Sequence, residues 1–271
     1  MSLFNFDHRT SGLVLAGGAL ALAGAVIGAG CGGTDVSTQE GFCSALAAAD
    51  CSYAIVQACY GSSDASLQAD IDSCITARRQ ANICNPAHLP YHADFADGCI
   101  SQHQTVFGAS TIDGTNWDSV REACLPTFNR GGQKGSVCTD DVDCDVGYNG
   151  LRCIMRVGGK GTCQVPKAVA GGASCKDAAA QCPAGNYCDP GFHCVETPLK
   201  GEECGAGQPC SDGYRCNADL TTCENQLANG SKCARDTDCS GGFCLDTATG
   251  KQCAASYIFA FGATTCVDFK R

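Results

Sequence analysis

CKDAAAQCPAGNYC (residues 175–188), CGAGQPCSDGYRC (204–216) and CARDTDCSGGFC (233–244) are three versions of one pattern: Cys, five or six residues, Cys, a glycine-containing step, Cys. A fourth Cys closes each unit, at Cys194, Cys223 and Cys253, and a looser copy with an insertion uses Cys138, Cys144, Cys153 and Cys163. The first cysteines lie 37, 29 and 29 residues apart, and each is preceded by a glycine, in GSVC, GASC, GEEC and GSKC. Self-similarity at such a period marks tandem small units. Each is too short to bury a hydrophobic core, so disulfides must hold it, at about 2–4 kcal/mol each on the chain-entropy account.

Outward from this block, the composition agrees. The 271 residues include 25 Cys and 34 Gly, with 17% charged and 7% aromatic residues. That cysteine density belongs to a disulfide scaffold in an oxidising compartment and argues against an ordinary cytosolic protein. A net charge of −10 argues against a nucleic-acid partner, which would need basic clusters. The expected fold class is a small disulfide-rich protein: a disulfide-stapled α-helical domain over 41–129, then short β-hairpin and loop repeats over 131–271 (about 135–165, 172–196, 201–225 and 230–255) with a C-terminal tail.

The helical half has widely spaced cysteines. GFCSALAAADCSYAIVQACYG carries apolar residues at helical intervals, Gly61–Asp64 reads as a turn, and ASLQADIDSCITARRQ as a second helix. Two helices across a short turn make an antiparallel hairpin, so facing residues are symmetric about the turn. Cys51 and Cys74 centre at 62.5, and Cys43 and Cys84 at 63.5. The expected bridges are Cys43–Cys84 and Cys51–Cys74, leaving Cys59 for Cys99. A third helix is expected from about Pro90, and a fourth from Thr115 or Asn116 to Cys124 with Trp117, Val120 and Cys124 on one face. Cys124 and Cys266 have no assigned partners; they could pair with each other, or Cys124 with an early repeat cysteine. Tyr257-Ile258-Phe259-Ala260-Phe261 alternates as a strand does, and is expected to pack on the last repeat or to leave a binding edge exposed.

At the N-terminus, ten residues with one Arg and one Asp precede the uncharged run SGLVLAGGALALAGAVIGAG (11–30) and then Cys31. This is the layout of a secretory signal. Ala29-Gly30-Cys31 resembles the lipobox of bacterial lipoproteins, which implies lipidation of Cys31, a signal peptide over 1–30 and a linker over 31–40. Gly28 stands where that box usually has Leu, Val or Ile. Simple secretion and a retained span are the alternatives. Lipidation of Cys31 would leave 24 cysteines, an even framework.

The C-x5-C-x5-C rhythm, with glycine ahead of an aromatic before the third Cys (Gly213-Tyr214-Arg215-Cys216, Gly185-Asn186-Tyr187-Cys188), resembles the Dickkopf N-terminal cysteine-rich module over about half of the chain. With a helical N-terminal part and a lipobox, the whole resembles cysteine-repeat lipoproteins of the myxobacterial type. The resemblance implies a scaffold; the signalling role of the animal modules does not transfer with it.

Chemistry-bearing motifs are sparse. There is no C-x-x-C, H-E-x-x-H or G-x-S-x-G. His88 and His92, with Asp94, have i,i+4 spacing, but Pro90 between them opposes a shared helix face. Asp141, Asp143 and Asp145 alternate as in the first half of a calcium loop, but Val146 stands where that loop needs glycine and Arg152 where it needs glutamate. The expectation is no catalytic site, no metal and no cofactor. The chain is read as a lipid-anchored envelope protein at the outer membrane or cell surface, with the membrane and an unidentified protein or surface ligand as partners. The alternatives are a secreted protease inhibitor or other extracellular binding module, and an enzyme using His88, His92, His103 and Asp94.

Overall fold

The computed structural model describes residues 35–80, 84–85, 88–205, 207–217, 219, 221–247 and 249–270. Cys31 and the signal segment lie outside the described residues. The protein is disulfide-rich, with a helical N-terminal part followed by small strand hairpins. Helix α1 spans Gln39–Asp50, capped by the Thr38 hydroxyl, which accepts from the Gly41 amide at 3.1 Å. Val36 already packs on the core, so the stretch 31–40, read as a linker, is folded from Asp35 onward.

The single helix expected over 41–60 is two. Helix α2 spans Tyr53–Tyr60 and is bent from α1 by 66°. The break lies at Ser52, whose hydroxyl accepts from the Ile55 amide at 3.3 Å and donates to the Phe107 carbonyl. A serine with these partners is a helix start rather than a helix interior. Gly61, at φ 66°, ends α2, and α3 spans Leu67–Gln80. Cys43 is joined to Cys84 and Cys51 to Cys74, the two pairs that hairpin symmetry gives.

Helix α4 spans Ala96–Val106, six residues later than expected. Leu89–Tyr91 is extended: the Asn85 side chain holds the Leu89 amide and carbonyl at 2.8 Å each, and Tyr91 bridges to Phe128. Proline at position 90 also biases Leu89 away from the helical region. Helix α5 spans Gly114–Cys124, with Trp117, Val120 and Cys124 buried.

The expected Cys59–Cys99 bridge does not form. Cys99 joins Cys124, and Cys59 joins Cys266. The bend after α1 turns α2 toward the C-terminal tail, while α4 and α5 pack side by side and bring their own cysteines together. The alternatives for Cys124, Cys266 or an early repeat cysteine, fall with the same finding.

All four repeats use one connectivity, first to third and second to fourth: Cys138–Cys153 and Cys144–Cys163, Cys175–Cys188 and Cys182–Cys194, Cys204–Cys216 and Cys210–Cys223, Cys233–Cys244 and Cys239–Cys253. The third and fourth cysteines are cross-strand partners in each hairpin: Cys153 with Cys163, Cys188 with Cys194, Cys216 with Cys223 and Cys244 with Cys253. Cross-strand partners share a face, so both sulfurs reach the same opening loop. The glycine three residues before each first cysteine is left-handed, and its amide donates to the carbonyl of the fourth: Gly135 to Cys163, Gly172 to Cys194, Gly201 to Cys223 and Gly230 to Cys253, at 2.7–2.8 Å.

The repeats do not form a free stalk beside the helices. Strand Ser256–Ile258 pairs antiparallel with strand Thr111–Asp113, and Tyr257, Phe259 and Phe269 enter the helical core. Phe243 of the fourth repeat and Val142 and Val146 of the first join the same core. The repeat block is therefore sewn to the helical domain at both ends. The tail packs into the helices and is not confined to the last repeat, because its partner strand lies between α4 and α5.

Candidate functional site

The most unusual chemistry is buried. Asp50 closes α1, Arg78 lies in the last turn of α3, and His103 lies on α4 one turn after Cys99. Arg78 Nε donates to Asp50 Oδ2 at 3.1 Å and its Nη2 reaches the same oxygen. His103 Nδ1 stands 2.6 Å from Asp50 Oδ1. The three are 1%, 7% and 0% exposed. Burial pushes the Asp50 carboxyl up, but the charges and hydrogen bonds of Arg78 and His103 outweigh this and hold it below the usual range. The Arg78 guanidinium lies 4.3 Å from the centre of the Phe269 ring, and His103 stacks on Phe107 at 5.2 Å.

Beside this cluster, Ile112, Trp117, Tyr257 and Phe259 complete a mostly apolar cavity of about 10 Å³, room for one water molecule. His103 is one of its walls, and its Nε2 has no hydrogen-bond partner among the described residues. An Asp–His pair of this geometry can orient an imidazole as a base. Here every lining side chain is buried, and the sulfurs nearest His103 are those of the Cys99–Cys124 bridge. A substrate cannot enter without lifting the tail.

The residues singled out in the sequence do not form one cluster, although His92 and Asp94 meet on Tyr148, whose ring stands edge-on to His92 at 5.7 Å. His88 is exposed in a left-handed conformation at φ 50°. His92 Nε2 lies 3.4 Å from the Asn129 carbonyl, and Asp94 accepts from the Tyr148 hydroxyl at 2.9 Å. His103 belongs to the buried cluster and to neither of them. The three alternating aspartates serve separate local bonds. Asp141 accepts from the Cys153 amide at 2.6 Å, Asp143 from the Thr139 amide at 2.8 Å, and Asp145 from the Tyr148 amide at 3.0 Å. Among the described residues, the groups close enough to hold a metal all contain cysteine, and every sulfur in them is in a disulfide. A disulfide sulfur is not the thiolate that a metal site needs.

Sequence reading passed over Asp50 and Arg78 as a pair. The available signal was a carboxylate on the apolar stripe of α1, four residues after Leu46, in a helix otherwise rich in alanine. No protein-family model matches the chain, and no curated protein and no solved structure does so.

Proposed function

We propose that this is a non-enzymatic cell-envelope protein, anchored by lipid on Cys31 at the outer membrane or cell surface, and acting in surface recognition, adhesion or structure through its disulfide scaffold. Cysteine parity carries the reading. Twelve bridges use all 24 cysteines after Cys31, which leaves Cys31 as the odd one of the 25. A lone cysteine directly after Ala29-Gly30, at the end of an uncharged 20-residue run, suits acylation better than a stray thiol. The sealing of the Asp50–His103 pair supports the non-enzymatic part, because reagents could reach it only through the core. Mass spectrometry of the N-terminus of the native protein tests the anchor. The expected species begins at Cys31 and carries the mass of a diacylglyceryl group. A mature chain starting elsewhere, or an unmodified Cys31, refutes it.

A second reading, a secreted binding module of the protease-inhibitor kind, is favoured by one loop. Between Cys188 and Cys194, Phe192 is held at φ 62° and is 46% exposed. A bulky residue there costs about 1–2 kcal/mol of backbone strain, and exposure returns little for it. Inhibition of a member of a protease panel that is lost in Phe192→Ala would support this reading over the first.

A further inference from the structure

The start of the folded chain fixes how the protein would meet a membrane. Two contacts pin it. The Tyr91 hydroxyl donates to the Val36 carbonyl, and Tyr91 is itself packed against Phe42 and Phe128 at 5.4 and 5.5 Å between ring centres. The Asp35 carbonyl lies across the first turn of α1, so close that a Cβ on Gly41 would stand 1.8 Å from its oxygen. Asp35 and Val36 are therefore fixed to the fold, and Asp35 stands four residues after Cys31. Four residues span at most about 14 Å when fully extended. The headgroup layer of one leaflet takes about 5–7 Å of that.

We propose that the face around the α1 start (Asp35, Ser37, Thr38, Glu40 and the Tyr91 edge) lies directly against the lipid headgroups, with no spacer between bilayer and fold. This rests on acylation of Cys31. The occupant of the face is the bilayer itself, and the tether rather than charge holds it there. Asp7 and Arg9 upstream of Cys31 cancel, so the chain from Cys31 onward keeps the net charge of −10. Such a protein has no electrostatic attraction for an anionic lipid surface. Asp35 and Glu40 are themselves exposed acids on this face.

The test uses the full-length acylated protein in vesicles of phosphatidylethanolamine and phosphatidylglycerol containing a headgroup-spin-labelled lipid. Ser37→Trp places a fluorophore on the face, and the parent protein supplies the background of the single buried Trp117. The expected result is at least a twofold loss of the added emission. Inserting 20 Gly/Ser residues after Gly33, with a root-mean-square reach of about 25 Å, should restore it. Quenching that is absent in a protein whose Cys31 lipid has been verified by mass, or that survives the spacer, overturns the placement while leaving the anchor intact. Absence of acyl chains on Cys31 removes the anchor itself, and the placement with it.

Discussion

Replacing both Cys59 and Cys266 by alanine tests what closes this molecule. The bridge spans 207 residues of sequence, the longest in the chain. Chain entropy alone assigns such a loop about 5 kcal/mol at 25 °C. The other bridges shorten the covalent path between the two cysteines to roughly 120 residues, but the dependence is logarithmic and the figure falls by only about half a kcal/mol. Both cysteines must go, since a single replacement would leave a free thiol to reshuffle the remaining bridges. The tail retains Tyr257, Phe259 and Phe269 in the core and the Phe259 amide bonded to the Ser110 carbonyl at 2.9 Å. It should therefore detach locally before the four-cysteine hairpins open.

Trp117 is a built-in reporter, because it lines the same cavity as Tyr257, Phe259 and Phe269. In guanidinium titrations followed by Trp117 emission, the double variant should lose about 3–5 kcal/mol and show a red-shifted baseline as water reaches the indole. Amide exchange should speed up at Phe259 and not at Cys194 or Cys223, whose amides belong to the repeats. A loss below about 1 kcal/mol, with unchanged emission, would show that the aromatic contacts alone hold the tail and that the entropic reasoning is wrong.

Three further outcomes follow from the same structure. Asp50→Asn leaves the Arg78 charge buried without its partner and should cost about 3–5 kcal/mol in denaturant midpoint experiments, whereas a loss within error would mean that the cluster is solvated in solution. Since the folded-state carboxyl of Asp50 is held below its ordinary value, its contribution is complete above about pH 4 and disappears as pH falls through the folded value; the melting temperature should fall on acidification more steeply in the parent than in Asp50→Asn, and parallel curves would contradict this. Gly147→Ala would put a methyl 2.3 Å from the Phe95 ring, where the first repeat meets the helices, and should cost about 1–3 kcal/mol by thermal melting; an unchanged melting temperature would mean that this junction is loose.

The hairpin bridges Cys43–Cys84 and Cys51–Cys74 were legible because a short turn imposes symmetry, and symmetry is arithmetic on residue numbers. The repeats were legible because left-handed glycines and cysteines recur at fixed spacing, and both are needed by the same backbone ladder. Cys59 was not legible. Its direction depends on the bend at Ser52, and serine in an alanine-rich run reads as helix until the Phe107 carbonyl that captures it is known. The tail was half legible: alternation marked Tyr257–Phe259 as a strand, but its partner Thr111–Asp113 is three residues long and carries no local signal. The buried Asp50–Arg78–His103 cluster joins three helices across 53 residues, and pairings of that kind are set by packing rather than by spacing.

The four repeats, equal in connectivity, are unequal in their attachments, and the difference is written in two aspartates. The first and fourth carry Asp-x-Asp-Cys before the second cysteine; the second and third have Ala180-Gln181-Cys182 and Gln208-Pro209-Cys210 there. In the carriers, the first aspartate accepts from the amide of the third cysteine, Asp141 from Cys153 and Asp236 from Cys244, both at 2.6 Å. The second aspartate closes the loop after the first cysteine, Asp143 on the Thr139 amide at 2.8 Å and Asp238 on the Arg235 amide at 2.9 Å. These carboxylates fasten the opening loop to the hairpin independently of the disulfides, and the repeats that have them are the ones that dock. Val142 and Val146 of the first repeat and Phe243 of the fourth enter the core. Helix α5 meets both units, with Glu122 paired to Arg152 of the first repeat at 2.7 Å and Arg121 sharing a cleft with Asp236 and Thr237 of the fourth. Apolar side chains stay exposed on docked and undocked units alike, Val137, Tyr148 and Val165 on the first repeat and Phe192 on the second. The first and fourth units thus fasten the repeat block to the helical domain, and in both the aspartate pair holds the opening loop to the hairpin next to a docking side chain, Val142 or Phe243.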